Sequence, residues 1–329
     1  MTKDQLIYLM QKYGRNSLSG LLFDGKMSYY PFSCIEGIAG YVQTSKIIAF
    51  FGEPLCAEND YFAAIEELVN FSVSEKKSCL FLMVGEVFLR HSLKFRDCSY
   101  LKIGDDFIFN VQTYVPKGNK LSVVRTPANF ARKQGVIVKE YNPNHSRDLK
   151  LENEFIQVAK RWLRTFSRFR ASLMELNDGE KIFENREIKR YFYAKLNGKV
   201  TAIMTCLPIY GRDGYFFDHT IRDVDAPNGV VELMTLEMIR IFKEEGRKAA
   251  TFGISPLLDL TTIHNFSGFA HLLVRLANSI SERLFHMQNL YHFRKKFRTN
   301  ISETLYLIKY PVGLGVYESL NIFKIFNSF

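Results

Sequence analysis

The sequence predicts an α+β protein built as two tandem halves, each a central mixed β-sheet flanked by helices. Three observations lead there. Apolar residues switch repeatedly between helical and strand spacing along the chain. The order helix, strands, helix, strand in the first half recurs in the second. The charge balance also changes once: residues 1–120 carry 13 Lys+Arg against 13 Asp+Glu, whereas residues 121–329 carry 31 against 21, the whole of the net +10. At 329 residues the chain exceeds the size at which one core usually stops growing. The polar stretch Tyr114–Lys120, with Pro116 and Gly118, marks the boundary, giving domains 1–118 and 119–329.

Taken in order, Lys3–Tyr13 has helical spacing, with Leu6, Leu9 and Met10 on one face. Met27–Phe32, Gly37–Thr44 and Lys46–Phe50 read as strands, closed by Gly52-Glu53-Pro54. Asp60–Lys76 is a helix whose stripe is Phe62, Ile65, Leu68 and Val69, with Asn59 or Asp60 as its cap. Cys79–Val84 reads as a buried strand, Glu86–Phe95 as a short helix, and Ser99–Ile103 and Asp106–Asn110 as two strands. In the second half, Ser122–Gln134 is a basic helix ended by Gly135, and Val136–Tyr141 is a strand. Asp148–Arg164 is a helix with Leu151, Phe155, Val158, Ala159 and Trp162 on one face. Glu187–Leu196 and Val200–Tyr210 form a hairpin about Asn197-Gly198. Gly214–His219, the helix Val230–Glu245 ended by Gly246, and Ala249–Gly253 follow. Phe269–Met287 adds a helix and Glu303–Lys309 a last strand. The tail Leu314–Phe329 would dock on the body, complete a dimer or touch a membrane.

Composition excludes several classes. With 29 Phe and 17 Tyr, the bulk of the chain has ample material for a core and is not disordered. Five scattered cysteines without metal-ligand spacing read as core thiols in a reducing compartment. The start, MTKDQLIYLM, is too polar for a secretory signal, and no apolar run reaches the roughly 18 residues of a spanning helix. A cytoplasmic protein without a transmembrane segment is expected. The basic second half attracts polyanions, whether nucleic acid, anionic lipid or a phosphorylated cofactor, or serves solubility alone.

The densest chemistry lies between Phe217 and Leu260, where a polar strand end, a turn, a helix and a second strand bring several polar groups to the lip of a sheet. Asp218 would orient an ammonium or accept a proton, or else is a loop carboxylate. Glu232 is a second acid, in a first turn where free N–H groups favour carboxylates in any case. Arg222 offers a fork of donors to a phosphate or carbonyl, or pairs with Asp223 or Asp225. Asn228-Gly229 is an ordinary turn or a helix-start anion site. His219 adjoins Asp218, and neighbours on a regular strand point to opposite faces, so one of the two enters a common pocket and Asp218 is favoured. Three basic clusters would meet a polyanion: Arg125/Arg132/Lys133, Arg161/Arg164/Arg168/Arg170 and Arg294/Lys295/Lys296/Arg298. The middle one, interleaved with Trp162, Phe166 and Phe169, is a backbone-contacting patch or a solvated face over a core stripe. Histidine and cysteine spacing supplies no zinc pattern, no phosphate-loop motif is present, and no metal or cofactor is required.

Five pieces occur in a familiar order: Gly40–Pro54, Arg125–Gly135, Asp218–Met234, Phe252–Leu257 and Leu290–Phe297. Together, from about Gly37 to Tyr310, they resemble the catalytic portion of bacterial phosphatidylglycerol lysyltransferases, the multiple peptide resistance factor family. The resemblance implies a tandem pair of acetyltransferase-like domains with the active site in the second. It also implies transfer of an amino acid from aminoacyl-tRNA to a lipid head group. Where the family pattern reads Asp-Leu-Met-Arg-Arg, this chain reads Asp218-His219-Thr220-Ile221-Arg222; the Met-Asp after Asn-Gly becomes Val231-Glu232; Gly-Met-Ala-Pro-Leu becomes Gly253-Ile254-Ser255-Pro256-Leu257. The resemblance thus assigns Asp218, Arg222 and Glu232 to catalysis, and Asn228, Gly229, Gly253, Ser255, Lys295 and Lys296 to the substrate. Arg161, Arg164, Arg168 and Arg298 are read from their clustering as polyanion-binding, and the terminal basic element with Lys295, Lys296 and Arg298 would meet the acceptor end of tRNA.

The function expected is aminoacyl-tRNA-dependent transfer to a lipid, peptide or small nucleophile, with peripheral membrane contact. Direct attack is favoured because Ser255 and Cys206 lack a triad partner. An acyl-CoA-dependent N-acyltransferase and a non-catalytic binding protein are the alternatives. Against coenzyme A stands the lack of an arginine- and glycine-rich turn for its pyrophosphate.

Overall fold

Local chemistry sets the ends of the elements. Thr2 and Gln5 close a capping box on helix α1 (Lys3–Tyr13), and the Asp148 side chain accepts from the Leu151 N–H at the start of α5 (Leu149–Leu163). Gly246, at φ +78°, follows the end of α6 (Val230–Glu244), a backbone conformation that a side chain would strain. The computed structural model describes residues 1–23, 27–165, 179–266 and 287–313, together with Glu318 and Asn321. The other helices are α2 (Tyr61–Ser74), α3 (Glu86–Phe95), α4 (Ser122–Lys133) and α7 (Met287–Lys295). The strands are β1 (Ser28–Pro31), β2 (Ile38–Gln43), β3 (Ile47–Phe51), β4 (Ser78–Val84), β5 (Ser99–Asn110) and β6 (Ile137–Tyr141). They continue with β7 (Arg190–Leu196), β8 (Lys199–Ile209), β9 (Gly214–Arg222), β10 (Ala249–His264) and β11 (Ile301–Tyr310).

All eleven strands belong to one mixed sheet, ordered β1-β2-β3-β4-β11-β5-β10-β9-β8-β7-β6. Two neighbouring pairs are parallel, β3 with β4 across α2 and β9 with β10 across α6; the rest are antiparallel. The strand order therefore repeats between the halves, but the last strands are exchanged. β5 leaves the first half to pair with β10, and β11 leaves the second to pair with β4, so the halves share a sheet at β11–β5. Helices cover both faces. Phe81, Phe50 and Ile308 pack with α2 and α3, and Leu80, Leu82 and Leu307 pack with α1. In the second half Phe192, Met204 and Phe217 pack with α4 and α6 on one face, while Tyr191, Ile203 and Ile221 pack with α5 on the other.

Where the structure differs from the sequence reading, non-local pairing is the reason. The two strands expected at Ser99–Ile103 and Asp106–Asn110 are one, because β5 is held on both sides by β10 and β11 and runs through Gly104. The strand expected to end at Gly253 runs on to His264 against the same β5. β7 begins at Arg190 rather than Glu187, which is drawn off into an ion pair with Lys3. The segment expected as a linker is tied to α4, since Arg125 donates to the carbonyls of Pro116 (3.1 Å) and Gly118 (2.7 Å). Of the five thiols four are buried and Cys34 is exposed; burial pushes Cys56 up to about 12 and Cys98 to about 11. Most of the helix expected at Phe269–Met287 and of the tail lies outside the described residues. Within the tail, Asn321 accepts from Ser45, and Glu318 pairs with the buried Lys309 at 3.3 Å, so these two residues dock on the body.

Arg190 fastens the outer edge of the second half. Its guanidinium bridges Glu140 on β6 and Glu245 at the end of α6, four donor–acceptor distances of 2.7–2.9 Å, and lies over Phe192, Tyr215 and Phe242. Removing it leaves two partly buried carboxylates facing each other without their cation. Arg190→Ala is expected to lower stability by about 3 kcal/mol, read from denaturant unfolding.

Candidate functional site

The parallel pair β9–β10 stays hydrogen-bonded only from Gly214 to Phe216 against Ala249 to Thr251. Beyond that point each strand carries an extra residue. On β10 the register against β5 slips between Thr251 and Ile254, with Gly253 at φ +73°; on β9 the register against β8 slips between Phe217 and Thr220. The two strands part there.

On β9, two residues, Asp218 and His219, face one residue of β8, Thr205. The expectation that only one of them enters a common pocket assumed a regular strand, and the bulge overturns it. Thr205 Oγ1 donates to Asp218 Oδ2 and lies against His219 Nδ1, both at 3.2 Å; His219 Nδ1 is 2.7 Å from the same carboxylate oxygen. Lys189 Nζ, almost enclosed, completes the group at 3.2 Å from Asp218. Burial pushes the Asp218 carboxyl up, but the charges of His219 and Lys189 outweigh it and hold the group well below the usual carboxylate range. A carboxylate whose folded pKa is depressed stabilises the fold fully above its unfolded value, ~3.9, and loses that contribution as pH falls towards the folded value. The thermal midpoint of Asp218→Asn is therefore expected to fall less steeply below about pH 4 than that of the parent.

The same extra residue separates Asp218 from Arg222. Four apart on a regular strand they would share a face, but the bulge inverts the alternation. Thr205 alternates with Met204 and Cys206, so the Asp218 group lies on the α5 face of the sheet; Arg222 pairs with Ala202 and points to the α4–α6 face. Asp218 and Arg222 therefore do not converge on one cavity. Arg222 is exposed and, among the described residues, has no carboxylate partner; Asp223 is taken by Arg161, whose Nε donates to it at 3.0 and 3.1 Å.

On the α4–α6 face the elements bring together residues far apart in sequence. Glu232, in the first turn of α6, pairs at 2.7 Å with Lys296, just past α7, and the Lys296 ammonium lies 4.0 Å from the centre of the Phe293 ring. Lys296 borders a groove of about 540 Å³ lined also by Lys120, His292, Lys295 and Arg298, with Phe107 and Val123 on its floor and rim. Lys120, Lys295 and Arg298 have no carboxylate partner among the described residues. Lys120 and His292 went unnoticed in the sequence; only the packing of α4 against α6 and α7 brings them in.

At Asn228–Gly229 the start of α6 packs against α4. Asn228 is exposed in the turn, but Gly229 (φ +86°) lies so close to α4 that a Cβ would meet the Pro127 carbonyl oxygen at 2.0 Å. Gly229→Ala thus combines a left-handed strain with a backbone clash, and is expected to cost about 3 kcal/mol by denaturant unfolding. Gly253 and Ser255 are both buried. Phe216 lies over Gly253, where a Cβ would be 2.6 Å from its ring, and Ser255 is fully buried. Arg294 fills the space above them, donating to the carbonyls of Gly253 (3.3 Å) and Ile254, and burial lowers it to about 10. Of the middle basic cluster, Arg161 is committed to Asp223, Arg164 is exposed, and Arg168 and Arg170 lie outside the described residues. No three potential metal ligands converge among the described residues.

Residues 8–309 match the family model described as phosphatidylglycerol lysyltransferase, C-terminal. A phosphatidylglycerol lysyltransferase of Staphylococcus epidermidis is 21% identical over 317 residues, covering 95% of this chain and 36% of that protein. Its counterpart in Bacillus subtilis is 20% identical over 336 residues, covering 96% and 38%. The chain therefore spans little more than a third of the length of these relatives. Among solved structures, L-PGS from Bacillus licheniformis superimposes with a TM-score of 0.78 at 18% identity, covering 99% of this chain and 96% of that one. Among the described residues no helix is long and apolar enough to cross a membrane.

Proposed function

Because the chain belongs to the phosphatidylglycerol lysyltransferase C-terminal family, we propose that it moves an aminoacyl group from aminoacyl-tRNA to a lipid hydroxyl. The observation that carries the donor is the groove on the α4–α6 face. Three unpaired cations and a histidine in about 540 Å³ suit the phosphates of an RNA end far better than a neutral ligand. Lys296, tethered by Glu232, sets the inner limit of that groove, and Arg222 is a further uncommitted guanidinium on the same face.

The repeated strand order supports a tandem pair of acetyltransferase-like halves joined near 118/119, with the second half active. The matching edge of the first half is already filled: the Glu53 carboxylate accepts from the Gly85 N–H at 2.7 Å and from the Asn16 amide. In the second half the corresponding strands part beyond Phe216 and Thr251. A coenzyme A thioester fits this frame less well, since no arginine- and glycine-rich turn for its pyrophosphate precedes α6.

A lipid acceptor agrees with the outer face of α4. Val123 and Phe130, each 50% exposed, stand beside Lys120 and Lys133, an apolar and basic edge suited to an anionic bilayer. Donor choice is tested by equilibrium binding of labelled aminoacyl-tRNA to the purified chain. Binding that weakens steeply with salt and is unaffected by coenzyme A is expected. Displacement by acyl-CoA but not by uncharged tRNA would replace this reading with the thioester one.

A further inference from the structure

Helix α4 turns Val124, Ala128 and Ala131 into the core and leaves Val123 and Phe130 each half-exposed. Seven residues apart, these two stand two turns apart on one line of the helix. Lys120, in the short turn just ahead of α4, borders the same groove as Val123, and Lys133 follows Phe130 by three residues. The apolar line therefore has an exposed lysine at each end. Charge in this part of the chain has one sign: residues 111–139 hold Lys117, Lys120, Arg125, Arg132, Lys133 and Lys139, with no Asp or Glu. Arg125 is tied to the carbonyls of Pro116 and Gly118, and Arg132 to Glu237. Lys117, Lys120 and Lys133 are exposed and have no carboxylate partner among the described residues. A face made only for solvent mixes both signs and turns its large apolar groups inward. Half-exposed apolar groups between unpaired lysines instead match a helix lying in the headgroup layer of an anionic bilayer. A nucleic acid would answer the lysines but leave Val123 without a partner.

We propose that α4 is an in-plane docking helix that holds this chain on an anionic lipid bilayer. Val123 and Phe130 insert below the headgroups, and Lys120 and Lys133 meet the lipid phosphates. The use of such a contact rests on the lipid-acceptor reading above; the contact itself is measured without any transfer. Because Lys120 and Val123 also line the basic groove, the docked helix brings the mouth of that groove to the bilayer surface. The RNA end and the lipid are then presented on the same α4–α6 face of the sheet.

The test is sedimentation of the purified chain, without tRNA, with two kinds of vesicle: phosphatidylcholine alone, and equal parts phosphatidylcholine and phosphatidylglycerol. Binding to the mixed vesicles and little to the neutral ones is expected, weakening as salt screens the lysines. Val123→Ser combined with Phe130→Ser should lower the partition onto mixed vesicles about tenfold or more. Lys133→Gln should lower it roughly fivefold. Phe130→Trp should bind as well as the parent, because an indole suits the membrane interface. All three positions are exposed, so unchanged thermal midpoints should show that the variants fold. Phe130 does not line the groove, and Phe130→Ser should leave the affinity for tRNA in solution as it was. No vesicle binding, or equal binding to neutral vesicles, overturns the inference. So does binding that survives the Val123→Ser, Phe130→Ser change but is lost with Lys295→Ala, Lys296→Ala, Arg298→Ala, which gives the contact to the groove cations. A parent that is a dimer in solution, and a monomer after Phe130→Ser, overturns it by giving the face to a second copy. A chain that docks as expected yet moves no label to lipid leaves the docking standing and overturns the transferase reading. Transfer to detergent-dispersed phosphatidylglycerol without vesicle binding does the reverse.

Discussion

Asp218→Asn is expected to lower aminoacyl transfer by about 10³-fold while the protein remains folded and still binds the donor. Asp218 is the hub of its group: Thr205, His219 and Lys189 all address one carboxylate oxygen within 3.2 Å. The amide keeps the shape but loses the charge. It leaves the Lys189 ammonium buried without its counter-ion. The loss should appear in kcat, with KM for the donor little changed, because Asp218 does not line the basic groove. A variant that binds charged tRNA poorly but turns over normally would place Asp218 in donor recognition instead.

The combined Lys295→Ala, Lys296→Ala, Arg298→Ala protein should show the opposite split. Donor affinity is expected to drop about 10²- to 10³-fold at moderate salt, with a shallower dependence of log Kd on log salt. Each cation facing an RNA phosphate contributes roughly 0.7 to that slope for single strands, so three lost contacts reduce it by about 2. Lys296 contributes a second effect, because its removal leaves Glu232 in the groove as an unpaired acid that repels phosphate. Lys120→Ala should add to the loss, since Lys120, just ahead of α4, lines the same groove. Equal affinity and an equal salt slope in the triple variant would mean that the RNA end does not enter here.

How much of this was legible depended on whether the signal was local. The helix Glu86–Phe95 and the hairpin about Asn197-Gly198 follow from spacing and turn chemistry alone, and both stand where the sequence put them. The terminal basic run was legible as well, because Lys295, Lys296 and Arg298 are near neighbours in sequence. The exchange of β5 and β11 was not, as nothing within Ser99–Asn110 says which half it will pair with. The bulge at Asp218–His219 was the costliest omission. One extra residue carries no local signature, yet it brings His219 to Asp218 and turns Arg222 to the opposite face. Ser255 misled for a related reason: a polar side chain at a strand exit suggests a lip, but Arg294, reaching over from α7, encloses it. The Glu232–Lys296 pair, which links the start of α6 to the groove, joins residues 64 apart and becomes visible only once α7 has packed.

The central claim, that this chain carries an aminoacyl group from RNA to a lipid hydroxyl, is tested most directly by the fate of the label. Purified protein is mixed with lysyl-tRNA labelled in the amino acid and with phosphatidylglycerol vesicles, and the products are partitioned into organic solvent. Label is expected in the lipid fraction, lost with Asp218→Asn and suppressed by high salt. Label that remains on tRNA, or leaves it only as free amino acid at the rate seen without protein, contradicts it.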